Sequence, residues 1–172
     1  LSCALVAGCQ TERTAPMLSL AVDGETDYVV VMPEDSTPVD RYASEMLAFY
    51  LNQITGAVFP VKDEALVPKG RPRIAVGSGS SNEDVAPDGR VTTLADAEFS
   101  TRSVGDSIFL YGQGMHGNLW AVMDFLENSL GWRWYSVYCK PTLVSQPAVE
   151  LDPFVSDQEN KPVSKRQDAP LP

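Results

Sequence analysis

The segment from Thr37 to Gly56 constrains the fold more tightly than any other part of the sequence. Thr37 stands as an N-cap, Pro38 occupies the first helical position, and Asp40 follows three residues after the cap. The hydroxyl and the carboxylate can satisfy free N–H groups at that end, and the negative charge suits the positive end of the helix dipole. Ala43, Met46, Leu47, Tyr50, Leu51 and Ile54 then recur at the spacing of one apolar stripe. Gly56 sits where a C-terminal cap is expected, because it takes a left-handed conformation without a Cβ clash. A helix with so narrow a stripe has to lay it on a sheet or on another helix.

The flanking sequence supplies strands. Met17 to Val22 and Tyr28 to Met32 are β-rich runs on either side of the turn-forming Asp23-Gly24-Glu25, which suggests a hairpin. Val58-Phe59-Pro60-Val61 and Arg73 to Gly77 are short strand candidates. Phe99 to Val104 and Ser107 to Tyr111, joined by Gly105-Asp106, read as a second hairpin. A second helix is expected over Gly117 to Ser129, with Leu119, Val122, Met123, Leu126 and Leu130 as its stripe and Asp124, Glu127 and Asn128 in water. Gly131 closes it, and the aromatic run Trp132-Arg133-Trp134-Tyr135 follows. One more strand lies within Leu143 to Leu151. The stretch Ser78 to Gly89 is small, polar and acidic, as in a surface loop. The order predicts an α+β two-layer sandwich, one mixed or antiparallel sheet with two helices packed on one face.

At 172 residues, with 44% hydrophobic and 21% charged side chains, the chain has the makeup of one folded domain plus tails. The domain is expected over residues 17–152, between a 10–16 linker and a charged, Pro-rich linker at 153–172. Thirteen basic against 23 acidic residues give a net charge of −10. That balance argues against nucleic acid, which needs a concentrated basic face.

Residues 1–9 read differently from the domain. Leu1 to Cys9 is apolar with small residues at its end, then turns polar at Gln10, as at the end of a secretory signal. It falls far short of the roughly 20 apolar residues of a membrane-spanning helix. Val6-Ala7-Gly8-Cys9 matches a bacterial lipobox, in which the Cys becomes the lipidated first residue. Cys9 is thus the expected lipid anchor, and the expected location is the cell envelope of a bacterium.

Several patterns carry candidate chemistry. Gly112-Gln113-Gly114-Met115-His116-Gly117 matches G-x-G-x-x-G between a strand and a helix, where backbone N–H groups and a helix dipole can hold a pyrophosphate. Against a nucleotide, Ser107 to Tyr111 looks like a hairpin arm, and no Asp or Glu follows Trp132 to Tyr135 to hold a ribose. A tight glycine turn that brings helix and sheet together explains the same residues. Gly77-Ser78-Gly79-Ser80 lacks the P-loop Lys. His116, the one His, lies beside a helix N-terminus with no carboxylate partner evident nearby in the sequence, which suits a structural or solvent-facing residue better than a catalytic one. Cys3, Cys9 and Cys139 show no C-x-x-C spacing, so no metal and no cofactor are expected. Asp124 and Glu127, one helical turn apart, could stand as close as a glycosidase carboxylate pair, yet they fall on the polar face of an amphipathic helix, where charged pairs are normally just solvated. Trp132, Trp134 and Tyr135 can stack on sugar rings, but at helix-end spacing core or interdomain packing suits them better.

Four ordered segments resemble the N-terminal domain of bacterial alpha-glucuronidases and related glycoside hydrolases. They are Val29 to Glu34 with the helix Tyr42 to Leu47 ending in Ile54-Thr55-Gly56-Ala57; Arg73 to Gly77; Ile108 to Gly112 leading into Gly117 to Glu127; and Leu130 to Tyr135. Together they span about residues 17 to 150. The resemblance implies a non-catalytic α+β domain, similar to the second domain of beta-hexosaminidases, that precedes a catalytic (β/α)8 barrel. The catalytic carboxylates would lie on that barrel, so no catalytic residue is assigned in this chain. The Lys161 to Arg166 stretch has the Pro and the Arg with which such proteins enter the barrel, without the aromatic residue between them. Trp120 and the Trp132, Trp134 and Tyr135 run are the expected contacts with the barrel, or alternatively with glycan if the chain is a free-standing carbohydrate-binding module. The lipobox is open to a direct check: in bacterial cells fed labelled palmitate, the wild-type protein should take up label and Cys9→Ala should not.

Overall fold

The computed structural model describes residues 17–77, 98–133, 146 and 148–158, the last four as backbone alone. In chain order the elements are β1 (Leu18–Val22), β2 (Val29–Met32), α1 (Pro38–Thr55), β3 (Val61–Asp63), β4 (Arg73–Val76), β5 (Phe99–Val104), β6 (Ser107–Gly112), α2 (Gly117–Asp124), β7 (Ala148–Leu151) and β8 (Val155–Gln158). Six strands form one mixed sheet in the order β3-β2-β4-β6-β5-β8, and β1 pairs with β7 in a separate two-stranded sheet. Strands β2, β3, β4 and β6 run parallel, while β5 runs antiparallel to both β6 and β8. The α+β class and the single helix layer agree with the sequence reading.

Helix α1 forms where its caps dictate. Thr37 Oγ1 accepts the Asp40 N–H at 3.2 Å, and Asp40 Oδ2 accepts the Thr37 N–H at 2.9 Å, a reciprocal capping box. Gly56 ends the helix at φ 75°, with its N–H on the Asn52 carbonyl at 2.8 Å. Ala43, Leu47, Leu51 and Ile54 are fully buried, and Met46 and Tyr50 pack against the same cluster.

That cluster is the core. It joins the α1 stripe to Val30, Ile74, Val76, Ile108 and Leu110 on one face of the sheet, and to Ala121, Val122, Phe125 and Leu126 from the second helical segment. Leu18, Leu20 and Val149 of the small sheet close the same core. The opposite sheet face is buried too: Val29, Val31, Ala75, Phe109 and Tyr111 are each 5% exposed or less. There the Arg102 guanidinium lies over the Tyr111 ring, 5.6 Å from its centroid.

The expected Met17–Met32 hairpin is corrected. Val22 and Glu25 do close a tight turn through Asp23 (φ 51°) and Gly24 (φ 79°). The chain then leaves β1 and enters the main sheet as β2. All four β2 residues are buried, the pattern of a parallel strand covered on both faces, whereas β1 alternates with exposed positions. A single sheet was expected and two are present, because β1 finds its partner in β7 instead. The strand at Val58 to Val61 begins only at Val61, since Pro60 has no N–H and offers its carbonyl to the Val30 N–H at 3.0 Å.

The second helix is also corrected. It is α-helical only to Asp124, and Phe125–Ser129 continue as a π turn, with the Leu130 N–H reaching the Phe125 carbonyl at 3.2 Å. Its buried face is Ala121, Val122, Phe125 and Leu126, with Leu119 and Met123 only partly covered. The expected linker at 153–172 begins inside the fold, because Phe154 stacks on Phe125 at 5.9 Å and β8 pairs with β5. The Phe154 N–H donates to Ser103 Oγ at 2.8 Å, which fixes that turn into β8. Residues 1–16 and 159–172 lie outside the described residues.

Trp132 follows the π turn and is 3% exposed, with its N–H on the Leu126 carbonyl at 2.8 Å and its ring 4.5 Å from that of Tyr50. It clamps the ends of both helical segments together. Trp132→Ala should cost about 3–5 kcal/mol by chemical denaturation, as expected for a large aromatic removed from a core.

Candidate functional site

The four parallel strands point their carboxyl ends the same way, and the N-termini of α1 and α2 follow the ends of β2 and β6. Ligands of open α/β sheets bind at such an edge. The glycine motif Gly112 to Gly117 lies there, and so does Gly77 at the end of β4.

At the glycine motif the space is filled by the chain itself. A Cβ on Gly112 would stand 2.4 Å from the Gly117 carbonyl carbon, and a Cβ on Gly117 would stand 2.5 Å from the Gly112 carbonyl carbon. Neither residue has a positive φ. Close backbone contact, and not an unusual dihedral, is what requires glycine at these two positions. The turn between them folds α2 directly back onto the end of β6.

Hydrogen bonds join the rest. The Gly112 N–H donates to Asn118 Oδ1 at 2.8 Å, and Asn118 Nδ2 donates to Asp40 Oδ1 at 2.7 Å. The other oxygen of Asp40 accepts from the Thr37 hydroxyl at 2.8 Å and from the Thr37 N–H at 2.9 Å. A Cβ on Gly77, whose φ is 95°, would lie 3.1 Å from Asn118 Nδ2. One carboxylate therefore serves both helix N-termini, with the Asn118 amide as the bridge. Through that bridge a negative charge lies near the start of α2, and like charge disfavours an anion there.

The other candidates fall as follows. His116 is exposed and is the N-cap of α2, without a side-chain capping bond. Asp124 accepts from Asn128 Nδ2 at 2.7 Å. Burial pushes the Asp124 carboxyl above its ordinary range; the Asn128 hydrogen bond offsets part of this, and the Glu127 charge adds to it. Glu127 pairs with Arg133 Nη1 at 3.0 Å, with both side chains near half exposure, an ion pair worth about 0–1 kcal/mol. These carboxylates are thus engaged along their own helical face. Among the described residues no group of three or more His, Cys, Asp or Glu gathers as a metal site, and no helix is long and apolar enough to cross a membrane.

Of the aromatic candidates, Trp132 is in the core at 3% exposure, the core packing that the sequence also offered for it. Trp120 is half exposed on the outer side of α2. On α1, Tyr42 and Phe49 are also exposed, two turns apart on one side of the helix, and the sequence reading had not singled them out. Their i, i+7 spacing opposite the buried stripe was the available signal. Cys9, Trp134, Tyr135 and Cys139, with the Ser78 to Gly89 loop, lie outside the described residues.

Known proteins resemble this chain in shape alone. No family profile matches the sequence, and no curated protein does. Among solved structures, CpGH84D is similar over 82% of this chain, with a TM-score of 0.49 and 10% identity. A GH138 enzyme targeting pectin rhamnogalacturonan II is similar over 72%, with a TM-score of 0.38 and 16% identity. Both are glycoside hydrolases. The chain spans 21% and 11% of their lengths. Neither likeness is close enough to assign an activity.

The close contact at the glycine turn has a measurable consequence. Alanine ordinarily stabilises a helix by about 1 kcal/mol relative to glycine. At Gly117 the new Cβ would meet backbone that cannot swing aside, so Gly117→Ala should instead destabilise by about 1–3 kcal/mol. Urea unfolding of the two proteins reads the sign.

Proposed function

We propose that this chain is the non-catalytic accessory domain of an exported, lipid-anchored glycoside hydrolase similar to the alpha-glucuronidases. In this reading the domain supports a (β/α)8 barrel of the same polypeptide, and that barrel carries the catalytic carboxylates. The substrate is a uronic-acid-containing or similar glycan, and the lipid on Cys9 holds the protein at the cell envelope.

The observation that carries the reading is how the chain uses its conspicuous residues. Gly112, Gly117, Asn118 and Asp40 are committed to joining helices to strands. Tyr42, Phe49 and Trp120, by contrast, stand on the helix layer at 59%, 58% and 49% exposure. Exposed large apolar side chains on the outer side of the helices are what a partner domain would cover in this reading. The four segments of the resemblance also fall on β2 with α1, β4, β6 with α2, and the Leu130 to Trp132 stretch that follows the π turn, which together build the sheet centre and the helices on it. The reading calls for no cofactor and no nucleic-acid partner in this domain.

Trp120 separates the accessory domain from a carbohydrate-binding module. Trp120→Ala should leave the unfolding free energy of the 172-residue chain within about 0.5 kcal/mol of wild type, because its ring packs little of this domain's core. In the intact protein the same change should lower the thermal midpoint by loosening the interface. Saturable quenching of Trp fluorescence by oligosaccharides, lost in the variant, with an unchanged midpoint in the intact protein, would overturn the proposal in favour of the module.

A further inference from the structure

We draw no further inference here: the strongest candidate, the open concavity of about 720 Å³ beside the Asp23–Gly24 turn, lined by Asp23, Glu25, Asp27 and Val58 among others, carries nothing because it is an exposed acidic cluster with no second feature that points to a ligand.

Discussion

Backbone meets backbone where Gly112 ends β6 and Gly117 begins α2, and the helix layer depends on that contact. It fixes the angle at which α2 leaves the sheet, and so directs Ala121, Val122 and Phe125 at Ile108 and Leu110. The Asn118 bridge to Asp40 then ties the start of α2 to the start of α1. At the far end the Tyr50 and Trp132 rings make the second tie. Two helices held at both ends need little else to stay in register on the sheet.

This arrangement gives the carboxyl edge of the sheet a structural use. The same edge in nucleotide-binding folds leaves N–H groups free for a phosphate. Here the Gly112 N–H is satisfied by Asn118, and the Asp40 carboxylate caps the start of α1 while accepting from the Asn118 amide. On the outer side of the helices Tyr42, Phe49 and Trp120 meet water.

How much was legible in the sequence follows from the range of each interaction. Helix α1 could be read to its termini because a capping box and a Gly C-cap are local signals. The buried face of α2 could not, because Leu119 to Leu126 is apolar nearly all round except at Asp124, and the π turn rotates the residues that follow. The pairing of β1 with β7 joins residues more than a hundred positions apart, and a tight turn beside β1 makes a hairpin look natural. Strand β8 was missed because Val155-Ser156-Asp157-Gln158 has one apolar residue and follows a Pro. The glycine motif and its use as a tight turn bringing helix to sheet were visible, but the bond from Asn118 to Asp40 beside it was not, since it spans 78 residues.

The central claim is that Asp40 and Asn118 act as one unit holding the two helix starts together. A double-mutant cycle in urea on Asp40→Ala, Asn118→Ala and the pair tests it most directly. Residues sharing one hydrogen-bond network should show a coupling of about 0.5–3 kcal/mol, with the double variant losing less than the sum of the singles. Losses that simply add would contradict the account.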